Sequence, residues 1–203
     1  METASSPFDF DRSDVAADPT LNIILQLFDV DRSTILAQDG GGLACNRTVG
    51  RNDLKPETYY LGVSVDGPAR YGGYSLSITS QPHAAANDAE PNDSSGTAKF
   101  LRLDAPVSGH LGYYSAGVTD GADWYSVQIG SAGKYTVSLE GDAPLNLRLS
   151  LLKSDAVTVV AQDSTGYMPK RTLRQIELAP GTYYLKVERD GSVFGGYTLK
   201  ISR

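Results

Sequence analysis

The chain repeats itself, and that repeat limits what it can fold into more than any other feature. Residues 21–39 (LNIILQLFDVDRSTILAQD) lie over residues 145–163 (LNLRLSLLKSDAVTVVAQD) at an offset of 124, with nine of nineteen positions identical. At the same offset ETYYLGV (57–63) lies over GTYYLKV (181–187), and Asp66-Gly67 over Asp190-Gly191. One residue out of that register, GGYSLSI (72–78) lies over GGYTLKI (195–201). A register kept over this many positions marks a tandem repeat, one kind of unit used twice.

The period inside each copy names the unit. Leu145, Leu147, Leu149 and Leu151 share one face, with Asn146, Arg148 and Ser150 on the other. Tyr125, Val127 and Ile129 alternate in the same way, as do Tyr135, Val137 and Leu139, then Tyr183, Leu185 and Val187, then Tyr197, Leu199 and Ile201. Alternation with period two is the pattern of half-buried strands. Turn signals rich in Gly, Pro, Asp and Ser separate the segments. Many short strands at this spacing predict an all-β chain of tandem antiparallel β-sandwich modules, jelly-roll-like in kind.

The second copy is the longer. It reaches back through residues 88–93 and 120–125, which have no counterpart ahead of Leu21. The expected organisation is an N-terminally incomplete repeat over 1–80, a polar linker over 81–87, and a complete repeat over 88–203. Either the chain is a piece cut within a domain, or residues 1–20 supply substitute strands; Phe8 and Phe10 alternate with Asp9 and Asp11, which fits one short strand there.

Composition excludes several classes of function. The net charge of −6 argues against nucleic acid and against anionic lipid surfaces. No apolar stretch approaches the roughly 18 residues of a membrane span. Residues 1–7 carry neither a basic nor an apolar segment, so no signal peptide is legible there. Cys45 is the only cysteine, which rules out an intrachain disulfide and leaves packing or a bound ion to supply stability.

The strongest functional signal is acidic clustering. Asp88, Glu90, Asn92 and Asp93 place four oxygen-bearing side chains within six residues, and Asp120 and Asp123 flank Gly121-Ala122 ahead of an aromatic strand. A hard cation such as Ca²⁺ takes six to eight oxygen ligands from groups of this kind. The same residues also suit ordinary turn and cap positions on an acidic, solvated surface.

The order of motifs adds to this. EPND, then GADWYSVQI, APGTYYLKV and GGYTLKI, resembles the bacterial pre-peptidase C-terminal domain family, β-sandwich modules of secreted proteases. That family includes the calcium-dependent collagen-binding domains of clostridial collagenases. The resemblance spans residues 88–203 and the latter half of the pattern over 21–80. It implies calcium ligands at Glu90, Asn92, Asp93, Asp120 and Asp123, with Asp88 as a further candidate. The first copy, lacking both ligand segments, is expected to lack the site.

Catalysis finds no support. The two histidines, His83 and His110, read as surface residues, one in the linker and one on the outer side of a strand. No Gly-x-Ser-x-Gly elbow is present, and Cys45 has no histidine nearby. Alternation turns Tyr184 and Tyr60 outward, where tyrosines make good interface anchors. In the collagen-binding relatives surface tyrosines grip the triple helix. The expected role is a non-catalytic accessory region of a secreted or cell-surface bacterial hydrolase, a protease foremost. It would be stabilised by calcium and used for targeting an extracellular protein or polysaccharide polymer, or for export, beside a parent catalytic domain. The alternative is a structural spacer or assembly module with no ligand.

Overall fold

The computed structural model describes residues 8–51, 54, 57–68, 71–82, 90–115, 117–143 and 145–203. Among them are seventeen strands and no helix, so none is long and apolar enough to cross a membrane. The chain divides into two compact units, Met1–Ala84 with Tyr114–Val118, and Ala85–Tyr113 with Thr119–Arg203.

In the first unit, β1 (Phe8–Ala17) lies between β4 (Asn46–Val49) and β6 (Tyr74–Pro82), and β2 (Ile23–Phe28) lies between β3 (Ile35–Asp39) and β5 (Tyr60–Val65). Both three-stranded sheets are antiparallel. The even-odd pattern of β2 puts Ile23, Leu25 and Leu27 inward, where they pack with Val15, Leu21, Val49 and Leu54. The strand expected near Phe8 runs the full length of β1. Strand β6 continues to Pro82, two residues into the segment read as a linker; His83 lies outside the described residues.

The second unit has more strands. Its first sheet has the order β14 (Val159–Asp163), β13 (Leu147–Lys153), β16 (Gly181–Arg189), β11 (Ala122–Ile129) and β7 (Lys99–Phe100). Its second has β15 (Lys170–Leu178), β12 (Gly133–Gly141), β17 (Gly195–Ser202) and β8 (Val107–Leu111). Pairing is antiparallel except for the short β7 beside β11. Two further short strands, β9 (Tyr114–Ser115) and β10 (Val118–Thr119), pair with each other and lie in or at the end of the Tyr114–Val118 segment counted with the first unit. The inward sets from β11, β12, β13 and β17 are buried in one apolar cluster with Leu185 and Val187 of β16. Tyr183 packs on its margin.

A buried arginine joins the two sheets of each unit. Arg47, on β4, donates from Nε to the Ile23 carbonyl of β2 (2.7 Å), from Nη1 to Gly41 O (2.8 Å) and Asp39 Oδ1 (3.0 Å), and from Nη2 to Gly42 O (2.6 Å) and Asn22 Oδ1 (3.1 Å). Arg171, on β15, donates to the carbonyls of Leu147, Thr165 and Gly166, to Asp163 Oδ1 and to Asn146 Oδ1. Every acceptor stands 124 residues after its equivalent. The second oxygen of each aspartate takes the next backbone N–H, that of Thr48 or Thr172, at 3.0 Å. A planar guanidinium loses water favourably only when its fork of donors is met, and here the loop carbonyls and the Asn and Asp side chains meet it.

A second device recurs in the β2–β3 and β13–β14 connections. Asp31 accepts from Ser33 N, Thr34 N and the Thr34 hydroxyl; Asp155 accepts from Val157 N, Thr158 N and the Thr158 hydroxyl. The residue after each aspartate, Arg32 or Ala156, takes positive φ (61° and 57°). These bonds to the ionised form hold both carboxyls below the ordinary value of 3.8, Asp155 at about 2, chiefly through Thr158.

Two outcomes are expected. Arg171→Met, measured by urea unfolding, lowers the stability of its unit by about 3 kcal/mol, because several buried acceptors lose their donor at once. Arg171→Lys recovers only part of this, since an ammonium cannot reproduce the fork. The folded-state value of Asp155 lies below its unfolded value, so its charge supports the fold above pH 3.8 and that support is lost as pH falls towards about 2. Asp155→Asn therefore flattens the dependence of stability on pH within that window, read from unfolding curves in acid.

Candidate metal centre

Three of the acidic residues converge in the second unit. Carboxylate oxygens of Glu90, Asp120 and Asp123 all lie within 4.8 Å of one another. Different segments deliver them. Asp123 is the second residue of β11, at the same parity as Tyr125, Val127 and Ile129, so the alternation that builds the core turns its carboxylate inward and leaves it 0% exposed. Asp120 is 3% exposed and is held by backbone bonds in both directions: its N–H donates to Tyr113 O (2.8 Å) and its carbonyl accepts from Gly112 N (2.9 Å). Glu90 arrives on a segment tied to β11, where Trp124 N donates to Asn92 O (2.8 Å) and Asn92 N donates to Glu90 Oε2 (3.1 Å).

The remaining residues of the set fall into three groups. Asn92 is fully buried between Glu90 and the turn that follows. Asp93 is exposed and is not one of the three converging carboxylates. Asp88 lies outside the described residues.

Two tyrosines support the centre. Tyr197, on β17 of the opposite sheet, donates its hydroxyl to Asp123 Oδ2. Its proton is thus committed, so in the 2.8 Å contact between the two hydroxyls Tyr125 is the donor. Burial, then the Asp123 charge and Tyr125, push the Tyr197 phenol well above its ordinary value, which keeps it a donor. A hydrogen bond received by a carboxylate favours its ionised form, the form a metal needs. Room for the pair comes from Gly109 of β8, opposite Tyr197, where a Cβ would stand 2.2 Å from the Tyr197 hydroxyl. The inward parity of Tyr197 was the available signal, since a tyrosine on an inward position must find a partner for its hydroxyl.

Three carboxylates so close together, two of them buried, carry a charge that a proton or a cation must offset. The donors are all oxygen, with neither imidazole nor thiolate, which fits a hard cation such as Ca²⁺ and does not fit Zn²⁺. Glu90, Asp120 and Asp123 are the residues that would hold it.

His110 corrects an expectation. It is 1% exposed, not at the surface, and its ring stacks on Tyr113 at 3.5 Å and 14°. Strand β8 is covered on both faces there, so alternation could not tell the two sides apart.

The outward tyrosines are half-buried. Tyr184 meets the edge of Trp124 (6.2 Å between centroids, 72°), and Lys186 Nζ lies 5.3 Å over the same indole. Tyr60 carries the Arg32 guanidinium 4.5 Å above its ring and accepts a bond from it (3.0 Å). The place of Trp124 opposite Lys186 in the β11–β16 pairing brings it beside Tyr184.

No family model matches the chain. No curated protein matches it. Among solved structures, the pre-peptidase C-terminal domain of a collagenase from Bacillus anthracis is similar at 22% identity, over 56% of this chain and 99% of that one, with a TM-score of 0.43. The Yersinia pseudotuberculosis-derived mitogen is similar at 11% identity, over 48% and 82%, with a TM-score of 0.33. The periplasmic g-type lysozyme inhibitor PliG of Aeromonas hydrophila is similar at 11% identity, over 52% and 96%, with a TM-score of 0.33.

Proposed function

We propose that the second unit is a calcium-stabilised, non-catalytic accessory module of a secreted hydrolase, with a protease as the parent enzyme. The observation that carries the reading is the convergence of Glu90, Asp120 and Asp123. A cation there bridges the segment ahead of the first strand to β11, and through Asp123 and Tyr197 to the opposite sheet. Asn92 and Asp93, with Asp88, belong to the same acidic segment and are the next candidates for ligation. The order of EPND, GADWYSVQI, APGTYYLKV and GGYTLKI supports the parent class and an extracellular or cell-surface setting. His110, enclosed against Tyr113, is poorly placed to act on a substrate, which supports a non-catalytic role.

The module's partner is an extracellular protein or polysaccharide polymer. The outer face of β11 and β16 supports this, since Trp124, Tyr184 and Lys186 form one amphipathic patch there. Tyr60 is the lesser anchor, its ring already covered by Arg32.

Calcium added to chelator-treated protein should raise the melting temperature of the second unit. Extracellular modules bind at roughly 10⁻⁴–10⁻³ M, and at about ten times Kd the gain is about 1.4 kcal/mol. Asp123→Asn abolishes the rise, and Tyr197→Phe weakens calcium binding while the unit stays folded. Identical melting curves in millimolar calcium and in chelator would refute the metal. Separately, Trp124→Ala with Tyr184→Ala should release the chain from whichever insoluble polymer retains it, collagen and chitin being the first to assay, with the calcium response intact.

A further inference from the structure

Arg189, the last residue of β16, ties the turn that carries Asp120 to the connection between β16 and β17. Its main-chain N–H donates to Gly121 O (3.4 Å), one step beyond the pairing of Ala122 with Glu188. Its side chain donates from Nε to Asp120 O (3.3 Å), and from Nη1 to Gly191 O (2.9 Å) and Val193 O (3.3 Å). A third segment closes on the same place. Gly112 N donates to Asp120 O (2.9 Å), and a Cβ on Gly112 would stand 2.7 Å from Phe194 Cα. Asp120 O thus accepts from both Gly112 and Arg189, which uses its two lone pairs and leaves the carboxylate as the part of Asp120 open to a cation.

The repeat separates this arginine from the scaffold. Its equivalent is Val65, yet the turn that follows keeps its form. Asp66 N donates to Asn22 O as Asp190 N donates to Asn146 O, both at 2.8 Å, and Gly67 and Gly191 take φ of 103° and 100°. The first unit therefore builds the turn without an arginine. Among the described residues it also has no counterpart of β11 or of the Asp120 turn. Charge does not explain the placement, because a guanidinium repels a cation. The fork of donors does, since it fixes several carbonyls at once.

We propose that Arg189 is a positioning residue for the calcium centre. It holds the Asp120–Gly121 turn against β16 and the 191–193 connection, so that the Asp120 carboxylate stands beside those of Glu90 and Asp123 before the ion arrives. This role rests on the reading of those three residues as a calcium centre.

The test is calorimetric titration of calcium into the chelator-stripped whole chain, with hydrogen exchange on the calcium-free protein. Arg189→Met should weaken calcium binding about tenfold. Without calcium it should speed exchange of the Gly112 and Asp120 amides. Arg189→Lys keeps the charge without the fork and should bind nearly as weakly; where Arg189→Met does not fold, this variant decides. Arg148→Met removes a guanidinium that bonds Asp190 and should leave the affinity unchanged. Tighter calcium binding by Arg189→Met would mean that the residue acts through charge, and overturns the proposal. So does a lower melting temperature in chelator with the calcium affinity of the folded chain unchanged, the mark of a purely structural role. An unaltered chain that takes up no calcium refutes the centre itself and this role with it; calcium bound equally by the unaltered chain and by Arg189→Met refutes the role alone.

Discussion

A guanidinium removed from water binds the two layers of each unit together. Arg47 leaves one sheet and reaches a main-chain carbonyl of the other, and Arg171 does the same. Desolvating an arginine costs several kcal/mol unless its donors are met, so the surrounding backbone is not free to vary. Two consecutive loop residues, 41 and 42 or 165 and 166, must turn their carbonyls inward, which explains the positive φ of 70° at both Gly42 and Gly166. Asn22 and Asn146 accept from the guanidinium and also from the backbone N–H of Ala44 or Met168. The ion pair with Asp39 or Asp163 is one contact among five, and the carbonyls do most of the ordering.

The candidate metal centre uses the same construction with the charge reversed. Asp123 belongs to one sheet and Tyr197 to the other, and their hydrogen bond crosses the sandwich as the arginine bonds do. A carboxylate on an inward position would be costly in an apolar core. It is tolerated here because it sits near the end of β11, where the Glu90 segment and the Asp120 turn bring further polar groups to it. Gly109 completes the arrangement by omission, since any side chain there would occupy the space of the two hydroxyls.

Much of the fold is legible in the sequence. Alternation gave the strands and the inward set, because a sheet with one wet face imposes period two on its side chains. The two acidic clusters stand out by residue type, but a shared ligand set was implied only by the resemblance, and spacing does not separate Asp93, which is exposed, from Asn92, which is buried. The arginines were invisible to a reading based on hydropathy, since a buried guanidinium looks like a surface one until its acceptors are found. Their shared place in the repeat, Arg-Thr at 47–48 and at 171–172, was the available signal. His110 departs from its expected surface place for the opposite reason: alternation predicts the side a residue takes, not whether that side is wet.

The two units together show which features are local and which are not. The arginine clamp and the aspartate turn are assembled from residues within one stretch of chain, and both are complete in the first unit. The centre around Asp123 needs β11 and the segment before it, for which the first unit has no equivalent among the described residues. Yet Tyr74, Leu76 and Ile78 keep the apolar type of their buried equivalents in β17, while Ser75 and Ser77 alternate with them. A strand that met only water on that face would gain nothing from three large apolar side chains, and would risk pairing edge to edge with other chains. The alternation of β6 is that of β17, whose Tyr197, Leu199 and Ile201 are packed in the core of the second unit.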